Sequence, residues 1–251
     1  MNNLLPINSA KPIKGTAFNK KLIMLSVAAS LLTAACGGDG TSDAPTSVAI
    51  VDPVVVSYEV SVTNLTNAQP MSPIAVVLHN EGNLWQVGES ASVELETLAE
   101  SGDNSMVLEL DVVLASGSGE GTLMPGMSET IMVSSVEIVP SNLSLATMLV
   151  NTNDAFSGIN AMSLENLGVG ESISMVTGSY DSGTEGNSES SMSIPGPAAG
   201  GEGFNSARDD VDFVAMHPGV VSQDDGLSSS ALTFEHRFDN PTLRVTITRT
   251  E

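Results

Sequence analysis

Residues 180–189 read YDSGTEGNSE, and within them Asp181, Glu185 and Glu189 place three carboxylates among glycines, hydroxyls and amides behind Tyr180. Such a stretch does one of two things. Its charge keeps a loop in water, or its oxygens cage a hard cation. Calcium takes six to eight oxygens at ~2.3–2.6 Å from carboxylates, carbonyls and waters in forgiving geometry. The DSGTE turn offers two carboxylates, Asp181 and Glu185, and Gly183 lets main-chain carbonyls turn inward. Asp154, in NTNDAFSG at the end of an expected strand, brings a third charge from upstream. Three carboxylates in one loop cluster repel unless a cation lies between them, and no arginine is close in sequence. Acid-rich loops are as a class more often only solvated, so spacing leaves both readings open.

Other chemistries find less support. His79, His217 and His236 lack the spacing of zinc ligands. His236 is read as a satisfied core histidine on an alternating strand, and His217, before Pro218-Gly219, as part of a turn. There is no G-x-S-x-G elbow for a serine nucleophile. A phosphate-cradling G-x-x-x-x-G-K-[ST] loop is missing too. An enzyme is therefore not expected. Trp85 reads as core rather than as an exposed stacking platform.

The chain opens with Lys11, Lys14, Lys20 and Lys21, then an apolar run over residues 22–32 and Thr33-Ala34-Ala35-Cys36. This is the order of a secretory signal: basic region, apolar region, small-residue cleavage site. The apolar run is about half of the ~20 residues a membrane-spanning helix needs. LTAAC resembles a bacterial lipobox, with Thr33 where Leu is usual, and the alternative is ordinary cleavage beside an incidental cysteine. Lipidation at Cys36 by more than one acyl chain gives a stable anchor. Gly37 rather than Asp after the cysteine points to the outer membrane. The reading is an outer-membrane lipoprotein of the cell envelope, facing the periplasm or the surface, that meets the membrane through its anchor alone.

Every lysine lies in that signal; beyond it 30 acidic residues face only Arg208, Arg237, Arg244 and Arg249. A surface so acidic repels nucleic acid and anionic headgroups, attracts cations and stays soluble in salt. No nucleic-acid partner is expected, and adaptation to saline water accounts for much of the excess.

The elements that must position the acids are mostly strands. Residues 1–35 form the signal, 36–53 a Gly, Ser, Thr, Asp and Pro-rich tether, and 54–251 one domain. Period-two alternation marks residues 54–62, 106–114, 232–238 and 243–247. Shorter apolar runs at 74–78, 130–139, 143–150 and 173–176 add strands. One helix is expected over 91–100, capped by Ser90 or Ser92 and stopped by Gly102. The result is an all-β antiparallel sandwich with long loops and one short helix. Its core is built from Val, Leu, Ile and Met, because aromatics are only 4% of the chain. Residues 180–203 form a long loop of the kind that carries function or disorder.

Seven blocks resemble the N-terminal domain of the spondin family, found in the matrix protein F-spondin and in bacterial secreted proteins. In order they are residues 58–80, 84–103, 143–160, 180–189, 194–197, 216–220 and 240–249. None is diagnostic alone; their order and spacing carry the likeness, which spans most of the chain beyond the signal. The resemblance implies a sandwich similar to C-two-type calcium-binding domains. It also implies calcium ligands at Asp154, from a motif like S-P-D-W-F-V-G, and at Asp181 and Glu185, from one like D-A-G-T-D. Two departures stand out. Ala155 occupies a tryptophan position, and Glu185 is one methylene longer than the family's aspartate.

The expected function is a calcium-binding interaction module in adhesion, or in matrix or glycan contact, with an unknown protein or glycan partner at the cell surface. Two rivals are an envelope hydrolase or accessory enzyme with structural calcium, and a salt-adapted scaffold without metal.

Overall fold

The computed structural model describes residues 53–239 and 241–251. The signal, Cys36 and nearly all of the tether lie outside them. In chain order the strands and helices are β1 (Val55–Asn64), β2 (Ala75–His79), α1 (Val93–Ser101), α2 (Ser105–Leu108), β3 (Val113–Ser118) and β4 (Ser128–Val136). There follow β5 (Asn142–Met148), β6 (Ala155–Ser163), β7 (Ser172–Thr177), β8 (Ser179–Asp181), β9 (Ala215–Met216) and β10 (Leu243–Arg249). All ladders between these strands are antiparallel. One sheet has the order β4-β1-β10-β7, the other β3-β2-β5-β6-β8-β9.

The sandwich follows from alternation. Val56, Tyr58, Val60 and Val62 of β1 are buried, as are Leu243, Val245 and Ile247 of β10 beside it. They pack on Val76, Leu78, Leu143 and Leu145 from the second sheet. Burying such side chains is worth ~1.5–3 kcal/mol each, which makes the seam between the sheets the main source of stability. On the outer face of the four-stranded sheet hydroxyls pair across strands, Ser61 with Thr130 at 2.9 Å and Ser172 with Thr248 at 2.8 Å.

The second sheet is also buried on its outer face. There α1 lays Leu95, Leu98 and Ala99 over Ala75, Val77, Ala146 and Phe156. Ser92 caps α1 by accepting the Leu95 amide, and Gly102 ends it at φ 73°. Trp85 is core, 7% exposed, edge-on to Phe156 with ring centroids 5.1 Å apart, and Tyr180 stacks on Phe156.

Two expected strands are absent. In residues 106–114 the chain forms α2 first, because Asp103 Oδ1 accepts the Ser105 amide at 2.9 Å and starts a helical turn. Only Val113 and Leu114 then enter β3. In residues 232–238, Thr233 and His236 bond to each other and wind Phe234–His236 into a 3₁₀ turn, leaving Phe234 exposed. His236 is accordingly half-buried in a turn, not a core residue on a strand. Helix α2 is an addition to the single expected helix.

Candidate metal centre

Strand register brings the acids together. Ala155 at the start of β6 faces Asp181 at the end of β8, and the Ser182 amide donates to the Asp154 carbonyl at 3.3 Å. Asp154 and Asp181 therefore sit one step apart at the same end of one sheet, although the sequence separates them by a whole strand and its return. Pleat alternation sends them to opposite faces. Asp181 shares the face of Ala155, toward the seam between sheets, while Asp154 shares that of Phe156, under α1.

Asp154 is fully buried. Its Oδ2 accepts from Ser182 Oγ at 2.8 Å, the Thr184 amide at 3.0 Å and the Glu185 amide at 3.2 Å. Its Oδ1 is buried without a partner. Burial first, and Asp181 second, push its pKa up to about 7. Asp181 is the turn-former: Oδ1 accepts the Gly183 amide at 2.8 Å, and Oδ2 accepts Asn187 Nδ2 at 2.6 Å.

Glu185 is 7% exposed, with Oε2 buried and unpartnered. Its pKa is pushed up to about 8, by burial first and then by the charges of Glu100, Asp154, Glu202 and Asp209. Glu189 leaves the group. Its Oε1 accepts the Val221 amide at 2.9 Å, and its backbone takes a positive φ of 54°.

One acid of this neighbourhood was not anticipated. Glu100, in the last turn of α1, is fully buried; Oε2 accepts the Asn205 amide at 2.8 Å, and Oε1 has no partner. Burial raises its pKa, opposed by Thr184 and the Asn205 amide. A signal for it exists in the sequence. An acid just before a helix's Gly stop opposes the macrodipole, whose C-terminal end favours cations.

Arg208 gives Glu100 only the smallest of the influences that favour its charge. The Arg208 guanidinium is spent on Glu96, Asp212 and the Ala91 carbonyl. Beside the group an open pocket of about 440 Å³ is lined by Glu185, Glu202, Asp209, Asn187 and Asn205 among others. The donors are hard oxygens. Of the histidines, His79 bonds through both ring nitrogens, to the Glu81 carbonyl and Ser144 Oγ, and His217 is buried against Phe238.

Asp154, Asp181 and Glu185 are thus neighbours at one end of the second sheet. They do not form a three-carboxylate shell: among the described residues no group of three or more His, Cys, Asp or Glu side chains is placed so that it could hold a metal ion. The donor set still fits a hard divalent cation, since unpaired carboxylate oxygens facing no positive charge supply what calcium binds. No protein-family model and no curated protein matches the chain.

Proposed function

We propose that the chain is a lipid-anchored calcium-binding module of the cell envelope, related to the spondin N-terminal domain, whose work is contact with a protein or glycan at the cell surface. The observation that carries the reading is the pair of buried, partnerless oxygens, Asp154 Oδ1 and Glu185 Oε2, held together by the Glu185 amide. Leaving a buried acceptor unpaired costs ~1–3 kcal/mol, and more for a charged one. A divalent ion met by the free oxygens of Asp154 and Glu185 removes that cost, while Asp181, on the other face of the sheet, shapes the turn that carries Glu185. In this reading the ion is structural. It ties the 181–187 turn to the start of β6 and fixes the long loops that a partner meets.

Cys36, outside the described residues, carries the anchor in this proposal. Adhesion is the reading's extension by analogy with the spondin family. Isothermal titration with calcium is expected to give one ion per chain for the wild type and no measurable heat for Asp154→Asn. Equal binding by both proteins would overturn the site.

A further inference from the structure

We propose that the end of the sandwich where the tether joins it docks on the bilayer through Val54, Val55, Val136, Ile138 and Val139, and so holds the carboxylate end away from the membrane. The bilayer is the one to which the reading above anchors Cys36; the calcium reading plays no part.

Strand pairing builds the patch. Val55 of β1 faces Val136 of β4, and one step further out the Glu137 amide donates to the Val54 carbonyl at 2.8 Å. The inward positions of both strands belong to the core, Val56 and Val133 among them, which turns Val55 and Val136 outward. Ile138 and Val139 follow in the connection to β5. All five side chains are 38–58% exposed. A connection between strands runs through water and is ordinarily polar, yet residues 136–139 carry three aliphatics and one acid. Val169, also exposed, lies at the same end, because the Gly170 amide donates to the Arg249 carbonyl and the Thr250 amide to the Ser57 carbonyl. Single exposed aliphatics are ordinary; a cluster marks a contact with protein or membrane.

Two facts choose the bilayer as the occupant. The first is where the chain enters, since β1 begins here and residues 36–53 join the domain at this end. Seventeen residues separate Cys36 from Pro53, at most ~60 Å when drawn out. An anchored Cys36 therefore delivers this end to the bilayer at high effective concentration.

The second fact is that the carboxylates lie at the opposite end. Asn64 closes β1 opposite Leu243, Leu243 faces Thr177, and Thr177 Oγ1 lies 2.8 Å from Ser157 Oγ, two residues beyond Ala155. β1 is ten residues long, so about 30 Å separates the two ends. Docking by the aliphatic end keeps Asp154, Glu185 and their pocket away from anionic headgroups. The patch alone binds weakly; with an acyl anchor it supplies the second signal that stable attachment takes.

The test floats the processed full-length chain on phosphatidylcholine vesicles as Cys36→Ser, so that no acyl chain contributes. Weak binding is expected at high lipid concentration, reduced about fivefold or more by Val54→Ser, Ile138→Ser and Val139→Ser together. Val176→Ser with Met127→Ser, which removes equally exposed side chains at the Asn64 end, should change it by less than about twofold. Thermal melts check that each variant folds. In the acylated chain, a fluorophore on Ile138→Cys should be quenched by lipids brominated in their acyl chains, and one on Val176→Cys should not.

No flotation, flotation that the triple substitution leaves unchanged, or equal quenching at the two positions would overturn the docking. So would a chain that sediments as a dimer, loses the dimer in the triple variant and floats with no vesicle, because this end then meets a second copy. A wild type without acyl label removes the anchor reading alone; flotation of the Cys36→Ser chain still decides the docking.

Discussion

The amide of Glu185 donates to Oδ2 of Asp154 at 3.2 Å, a bond spanning 31 residues of chain that joins the DSGTE turn to the first residue before β6. It ties the backbone of one acid to the carboxylate of the other, and each acid keeps one carboxylate oxygen buried and unpaired. Such a pairing is unfavourable in an isolated protein and favourable around a cation. The predictions below follow from that contrast.

In chelator, stability should fall as pH rises between about 6.5 and 8.5. Folding raises the Asp154 pKa from 3.8 to about 7 and that of Glu185 from 4.5 to about 8. Between those limits the folded state keeps protons that the unfolded chain has lost. The stability this confers is complete below pH ~4 and disappears as pH climbs through the folded values. His217 works in the other direction: burial lowers its pKa from 6.5, so its contribution is lost on acidification. The window above pH 6.5 therefore isolates the carboxylates. Thermal melts across it should show the melting temperature declining without calcium and far less with it; a flat profile in chelator would contradict the burial of these charges.

Gly183→Ala should disrupt the turn. Gly183 has φ +72°, and a Cβ there would lie 2.3 Å from the Phe213 carbonyl oxygen. A left-handed non-glycine residue costs ~1–3 kcal/mol before any clash. Urea unfolding should register a loss of about 2 kcal/mol or more, together with weaker calcium binding. Gly186→Ala is the control, since a Cβ at Gly186 meets nothing within 4 Å. Equal effects of the two substitutions would remove the turn's special role.

Cys36→Ser should release the protein from the membrane. The variant is expected in the aqueous phase of a detergent partition and the wild type in the detergent phase, with acyl label on the wild type alone. Wild type without label would mean simple signal cleavage. No helix among the described residues is long and apolar enough to cross a membrane.

The sequence makes the strands legible where one face is buried over a whole strand. Val56 to Val62 alternate because β1 is central, with β4 and β10 on either side, and the core leaves its inward positions no choice. The same period fails at Met106 and at Phe234, where one local side-chain bond, Asp103 to Ser105 and Thr233 to His236, diverts the backbone into a helical turn. Strand β6 was hidden for another reason. Its first five residues, Ala155 to Ile159, are buried on both faces, so no alternation marks them. Asp154 reads as the tail of the strand before it and lies instead in the bend that leads directly into β6.

The site is legible in part on the same grounds. Composition and the DSGTE spacing point to Asp181 and Glu185, and the resemblance adds Asp154. That Asp154 and Asp181 leave opposite faces of the sheet depends on the β6–β8 register, which no local pattern encodes. Glu100 was within reach of the helix reading, but its burial depends on the 202–212 loop folding back over α1, where Asn205 and Arg208 take hold of it and of Glu96.

The most direct measurement is thermal unfolding of the processed chain at pH 7.5 in millimolar calcium against chelator, with Asp154→Asn alongside. A ligand at ~100 times its dissociation constant adds about 2.7 kcal/mol to the native state. For a domain of this size that is a rise of roughly 5–10 °C, present in the wild type and absent in Asp154→Asn. Coincident melting curves for the wild type with and without calcium would contradict the account.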